Sequence, residues 1–521
     1  MTKTDAEIQR EREEKAFRLD NWSRLDIQLG SQDPKVDDIV EIVYGLMESL
    51  SGFAGKSNIQ KKHLRVILLN LYANHLEDPY RYTGFFRRVS NYRPRGRYNT
   101  LGISKTVIKV VDSLTKLNLV EQVRGHHFRG VSGQSHMSRM RPKQTLIAVF
   151  AEHELSELSV ERVATTECII LRESNNAGTR RLELDYADDR NTTRMRAELC
   201  QYNNLLRRTF IDIPEFPEGG VLPSSGSRTI NINRTNKFVR RIFNNGNWED
   251  GGRFYGPWWQ NVPKLWRKDI RINDEQTIEW DYSGLHIILL YALEGLDYWE
   301  VGGGDPYELP GREPSARLRR LLKIILLVAI NADDMTKTLG GINWHINQDL
   351  EEYGWVREVG LDIGELVNKF AERHQPIKEY FFSGMGVRLQ FFDSRIAELV
   401  INELTAMGVP CLSIHDSFIT TRQEEQHLET AMGRAIERGV KEILGTAVSN
   451  RMKRSLGEKE VIPWKRLKLL NRPFENREKL DDYWEEQTEW VRGLENGQYP
   501  EYVIRLNRHR SVKWEENYFQ S

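Results

Sequence analysis

The chain is poor in cysteine. Only Cys168, Cys200 and Cys411 occur in 521 residues, far apart. That excludes a disulfide framework and a cysteine-rich zinc site. It makes a reducing, cytoplasmic setting the expectation. No run of eighteen apolar residues exists, and the start, Met1-Thr2-Lys3-Thr4-Asp5, is polar and charged. Neither a membrane span nor a secretory signal is therefore expected. Net charge is absent too: 75 basic residues face 75 acidic ones, so the total says nothing about partners. There is no internal repeat and no long low-complexity tract. The length allows two to four domains with ample core. The 13 tryptophans suit stacking surfaces and ordinary core alike.

The distribution of charge is informative where the total is not. Between Arg81 and Lys143 there are 14 Lys/Arg and two acids, Asp112 and Glu121. A solvated surface is the plain explanation. A net +12 window in a neutral chain favours a nucleic-acid face. Residues 5–50 read as helical. His63–Asn74 carries helical apolar spacing, and Ser104 caps a second helix, Lys105–Asn118. Two β-like runs follow, Leu119–Val123 and Gln144–Phe150, joined by a Gly/His/Arg/Ser-rich loop. Helix, helix and hairpin resemble a winged helix-turn-helix over residues 60–155. Its candidate phosphate contacts are Arg87, Arg88, Arg93, Arg95 and Arg97, then Lys105 and Lys109 on the helix, then Arg124, Arg129, Arg139 and Arg141 in the wing. The remaining divisions are 1–59 as an N-terminal helical segment, 156–245 as a connector with thumb-like helices (Thr193–Thr209 above all), 246–465 as the main core, and 466–521 as a C-terminal extension.

Two segments carry chemistry. Thr277-Ile278-Glu279-Trp280-Asp281-Tyr282 and Leu412-Ser413-Ile414-His415-Asp416-Ser417 each end an apolar, strand-like run on an aspartate. Carboxylates at neighbouring strand ends can hold a pair of Mg²⁺ ions roughly 4 Å apart. Either aspartate alone could equally cap a turn. Between them, Arg319, Lys323 and Asn331 recur at intervals of four and eight, on one face of an otherwise apolar helix. Two cations so placed can grip a triphosphate.

The order of these elements resembles family A (polymerase I-like) DNA polymerases and single-subunit phage-type RNA polymerases over residues 250–420. Gly252-Arg253, then Gln260-Asn261-Val262-Pro263, then Asp281-Tyr282-Ser283-Gly284-Leu285 is similar to the approach to the first catalytic aspartate. Arg319-x₃-Lys323-x₇-Asn331 is similar to the nucleotide-selecting helix, and Asp305-Pro306-Tyr307 to the element that opens the fingers. The helix bearing Gln390, followed by His415-Asp416-Ser417-Phe418, is similar to the second motif. The resemblance implies an α+β right hand: an antiparallel palm, helical fingers at about 297–385, a helical thumb, and the winged helix in front. It implies two Mg²⁺ (or Mn²⁺) ions on Asp281, the Tyr282 carbonyl and Asp416. Arg319, Lys323, Asn331 and His286 would bind nucleotide. Arg253, Gln260, Asn261, Gln390 and His415 would bind primer and template.

The implied function is template-directed nucleotidyl transfer to a 3′-hydroxyl, with DNA (or RNA) and dNTP (or NTP) as partners. Such a chain would suit a plasmid, phage, mobile element or defence system in a bacterial cytosol. His286 stands where the DNA enzymes carry Glu, and Asn331 where they carry an aromatic residue, so sugar choice is open. DNA synthesis is favoured by Gln-Asn-Val-Pro and Asp-Tyr-Ser-Gly-Leu. RNA or primer synthesis is favoured by His286 and His-Asp-Ser-Phe. Two other classes stand beside these: a DNA-binding replication initiator with a non-catalytic palm, and a template-independent nucleotidyltransferase.

Overall fold

A computed structural model describes residues 10, 21–50, 57–92, 96–125, 137–174, 182–216, 221–223, 229–301, 304–313, 315–452, 470–471 and 480–520. The fold mixes helices and sheets. Among the described residues no helix is long and apolar enough to cross a membrane.

The N-terminal unit contains β1 (Trp22–Arg24), α1 (Pro34–Glu48), α2 (Ser57–Glu77), β2 (Tyr82–Phe85), α3 (Thr106–Lys116), β3 (Val120–Val123), β4 (Ser138–Pro142) and α4 (Gln144–Glu152). Asp33 caps α1 by accepting the Lys35 N–H, with Pro34 in the first turn, so the helix begins where its missing donor costs nothing. Its buried stripe (Val36, Ile39, Val40, Val43) packs with Leu64, Ile67, Leu68 and Leu71 of α2 and Val107, Val110, Val111 and Leu114 of α3. The sheet order is β1-β2-β4-β3, with β1 parallel to β2 and the other pairs antiparallel.

Three expectations change here. Residues 21–50 are not continuously helical, because β1 comes first and pairs with β2. The division at 59/60 runs through one packed core, since α1 and α2 share it. Gln144–Phe150 is helix rather than strand. Leu146 and Phe150, four apart, are its buried residues, and a short apolar run does not reveal its own period. The strand that pairs with β3 is the charged Ser138-Arg139-Met140-Arg141-Pro142.

The second unit is built on α5 (Arg190–Arg208) and two sheets. One joins β5 (Ile169–Leu171), β7 (Arg240–Phe243) and β8 (Gly251–Tyr255) in the order β8-β7-β5. The other includes β6 (Ile211–Asp212), β9 (Arg271–Ile272), β10 (Glu275–Tyr282), β11 (Leu412–Ile414) and β12 (Ser417–Thr421) in the order β11-β12-β10-β9-β6. The short β13 (Leu470–Asn471) pairs with the end of β10. Helices α6 (Leu285–Leu293), α7 (Ala316–Asn331), α8 (Gly386–Ala406) and α9 (Glu425–Met452) belong to this unit. One hydrophobic core runs from Cys168 to Ile443 and takes in Tyr518 and Phe519.

Described residues of the 156–245 stretch thus belong to the core as well: Met195, Leu199 and Tyr202 of α5 and Val239 and Phe243 around β7 are buried in it. The C-terminal stretch wraps back. Tyr502 and Leu506 of α10 (Pro500–Ser511) pack on Phe210, and Arg505 pairs with Asp212 at 2.6 Å, both buried. The three cysteines are unbridged and buried.

Candidate active site

Strand β10 alternates strictly at its end, and that alternation aims the chemistry. Trp280 and Tyr282 point into the core. The Trp280 indole N–H donates to Glu425 at 3.2 Å, and the Tyr282 hydroxyl donates to the Met432 carbonyl at 2.7 Å. Glu279 and Asp281 take the other face. Glu279 is buried; its Oε1 is held by Arg267 at 2.8 Å and by the Ser417 hydroxyl, while its Oε2 has no hydrogen-bond partner.

Asp281 lies opposite Ser417 in the register, so Asp416 falls in the tight turn beside it. The Tyr282 N–H donates to the Asp416 carbonyl at 3.3 Å, tying the two segments. His415, the other turn residue, is held at φ +59°, a left-handed conformation a non-glycine residue rarely adopts. Such strain clusters at sites where the surroundings over-determine the backbone.

The Asp281 carboxyl is pushed up from 3.8 to about 6, first by burial, then by the charge of Asp416, with Lys264 and Lys323 pulling it back. Its Oδ1 is buried without a hydrogen-bond partner. Two acids crowded in this way favour either a shared proton or a cation. The donors present are hard oxygens, which suit Mg²⁺ rather than Zn²⁺. Among the described residues no group of three or more His, Cys, Asp or Glu side chains is placed to hold a metal. Magnesium needs only one or two carboxylates when substrate phosphates and water complete its shell, so the pair fits that ion.

The cations approach from α7. Arg319 pairs with Asp305 and also reaches the Ser283 hydroxyl at 3.4 Å, two residues past Asp281. The Arg319 guanidinium and the Lys323 ammonium lie 5.2 and 5.5 Å from the centre of the Tyr307 ring. Lys323 itself is exposed. The Ser283-Gly284 turn between β10 and α6 requires glycine: Gly284 sits at φ +68°, and a Cβ there would meet Pro306 at 2.6 Å.

Several sequence-predicted contacts are committed internally. Arg253 is bound by Asp393 through its Nε at 3.0–3.1 Å and through Nη2. His286 Nε2 lies 3.0 Å from the same carboxylate. The Gln260 amide donates to the Phe254 and Ser413 carbonyls at 3.0 Å each and accepts the Gly256 N–H at 3.2 Å. Through Ser413 it ties the turn after Pro257 to β11. Asn331 returns its amide to the Leu327 carbonyl at 2.7 Å and abuts Gly386. Asn261 is exposed and Gln390 half-buried. The His415 ring meets Tyr255 edge-on at 5.4 Å.

Sequence reasoning missed Asp393. It is 2 % exposed, and despite burial its acidity is strengthened by His286 and Arg253. Its signal was present: an acid on the apolar stripe Leu389, Ile396, Ala397 of α8, where an unpaired charge is not tolerated. Lys264, near Asp281, was missed as well.

The basic window of the N-terminal unit divides in two. Arg87 forms a double hydrogen bond to Asp112 at 2.7 and 2.8 Å. Arg97 pairs with Glu167 at 2.6 Å and Asp188 at 3.1 Å while stacking 4.0 Å from the Tyr186 ring centre. Arg139 is buried over Trp22, and Arg141 pairs with Glu121 at 2.7 Å. These four serve the fold. Arg88, Lys105, Lys109 and Arg124 are exposed. Arg93, Arg95 and Arg129 lie outside the described residues.

No family model matches the sequence, and no curated protein matches it. Among solved structures the chain is similar to the POL domain of Pol1 from M. smegmatis, whose structure is a complex with DNA primer-template and dNTP. Identity is 16%, the match covers 50% of this chain and 49% of that one, and the TM-score is 0.22. The match thus spans about half of each chain. The likeness is slight, and the functional reading rests on the site itself.

Proposed function

We propose that the protein is a template-directed nucleic-acid polymerase. The second unit would be its palm and fingers, with the C-terminal helices wrapped behind them. The N-terminal unit would be a winged-helix module that holds duplex through Arg88, Lys105, Lys109 and Arg124. The observation that carries the reading is the pairing of Asp281 and Asp416 at adjacent strand ends, with the Asp281 Oδ1 buried and orphaned and Lys323 of α7 acting on the Asp281 carboxyl.

Asp281, Asp416 and the Tyr282 carbonyl would hold Mg²⁺, which when bound lowers the pKa of a primer 3′-hydroxyl and neutralises phosphate charge. The chain's own residues do the rest. With its carboxyl at about 6, Asp281 is mostly ionised at neutral pH and available as a ligand. Lys323, exposed, can follow the β- and γ-phosphates, while Arg319 is oriented by Asp305 and Tyr307. Together they offset charge on departing pyrophosphate.

DNA is the favoured product. Ribonucleotides are the second reading because His286, tied to Asp393 and Arg253, replaces a longer acid with a ring that can donate or accept a hydrogen bond.

The test is primer extension by the purified chain with Mg²⁺, supplying dNTPs and NTPs separately, beside Asp281→Ala and Asp416→Ala. Incorporation that requires a template and is lost in both variants is expected. Template-free incorporation would mark a terminal transferase. Duplex binding without incorporation in any arm would mark an initiator. Activity surviving both substitutions would refute the proposal.

A further inference from the structure

A partly open pocket that does not include the carboxylate pair is lined by the segment Glu157–Arg162, the end of α5, the start of β6, the stretch Arg234–Phe238 and the C-terminal residues Arg505–Phe519. Its volume is about 70 Å³. One water needs roughly 10–15 Å³ of such space, so a few waters or a single tetrahedral anion fit. Phe210, Phe238, Trp514 and Phe519 supply apolar walls.

Charge in the lining is unbalanced. Five cations (Arg162, Arg207, Arg234, Lys237, Arg505) face three carboxylates (Glu157, Glu161, Asp212). Arg234 and Arg505 share Asp212, at 2.5 and 2.6 Å, and Arg505 also lies 3.7 Å from Glu501. Arg207 is matched by Glu161 at 2.8 Å. Arg162 and Glu157 find partners outside the lining, in Asp26 at 2.6 Å and Arg508 at 2.7 Å. Lys237 donates to the Arg207 and Thr209 carbonyls at 3.0 and 2.8 Å, and no ion pair joins it to a carboxylate among the described residues.

Buried donors are also left over. Arg162 Nη1, Arg207 Nη1, Arg505 Nη1 and the Trp514 indole N–H have no hydrogen-bond partner, and neither have His509 Nε2 and one acceptor, Glu161 Oε2. Arg162, Arg207 and His509 are each more than nine-tenths buried. An orphaned buried donor is costly unless a ligand or water satisfies it. Burial, then the neighbouring Lys237 and Arg510, holds His509 down at about 3, and burial, against the pull of Glu161, brings Lys237 to about 8.

We infer that this pocket is a binding site for a small oxyanion of the phosphate class. It would pin the N-terminal unit and the C-terminal helix to α5.

Isothermal titration of the purified chain, in chloride buffer of matched ionic strength, tests this with three probes: inorganic phosphate, sulfate and dTMP. Saturable 1:1 binding of phosphate and sulfate with exclusion of dTMP is expected for a free anion. Binding of dTMP as well would identify a nucleotide phosphate as the source. Trp514→Phe, which keeps an aromatic ring and removes the N–H, should weaken phosphate roughly two- to tenfold. Lys237→Met should weaken it by about tenfold or more, on the order expected for a charged donor. Absence of saturable binding by all three probes would overturn the inference. So would binding that survives both substitutions and disappears with Lys323→Ala.

Discussion

Replacing Asp281 by asparagine isolates what the carboxylate pair costs the fold. The native carboxyl titrates at about 6 and the ordinary one at 3.8. A raised acid binds its proton more tightly in the native state than in the unfolded chain. Stability therefore falls as pH rises from about 4 to about 6 and stays lowered above. About two units at 1.36 kcal/mol each give roughly 3 kcal/mol lost at pH 7.5, about 1.5 at pH 5, and under about 1 at pH 4. The asparagine side chain is nearly isosteric with aspartate and cannot ionise. In EDTA, Asp281→Asn should therefore be more stable than the wild type by up to roughly 3 kcal/mol at pH 7.5, with the gain fading toward pH 4. Chemical denaturation across that range, read on the transition of the unit containing the site, measures it. Added Mg²⁺ should narrow the difference by stabilising only the wild type. A gain that is absent at pH 7.5, or that does not change with pH, would refute the crowded-carboxylate argument.

Three further outcomes are expected. Asp393→Ala should destabilise by about 3–5 kcal/mol in urea denaturation, since it strands Arg253 largely buried; Asp393→Asn should cost less. In salt-titrated duplex binding, Arg88→Gln and Arg124→Gln should each weaken affinity and lower the log–log salt slope by about one. Arg87→Gln should instead reduce thermal stability with a smaller effect on the slope, because its charge is already matched by Asp112. Gly386→Ala should lower Tm, because its Cβ would meet Asn331 Oδ1 at 2.0 Å; adding Asn331→Ala should restore it.

Period and order were legible in the sequence. The helices at 106–116, 190–208, 316–331 and 386–406 announce themselves by apolar spacing, and Asp281 and Asp416 by their place at the ends of apolar strands. Local physics decides those features, so a linear chain displays them. What failed was whatever depends on residues distant in sequence. Gln144–Phe150 has the composition of a strand, but the neighbouring Ser138–Pro142 took the ladder position beside β3. The +12 window is a true count, yet Arg97 is neutralised by Glu167 and Asp188, both far onward in the chain.

By itself the sequence determined the two aspartates and the cationic helix, since each is a local pattern with a local cause. Only the tertiary structure decided how their charges are balanced. It buried Asp281 and placed Asp416 beside it, and both raise the Asp281 carboxyl. It spent Arg253 and His286 on Asp393, and it tied the half-buried Lys237 to the Arg207 and Thr209 carbonyls, within the field of Glu161. Those outcomes follow from distances across the fold and from burial, and neither quantity is written in residue order.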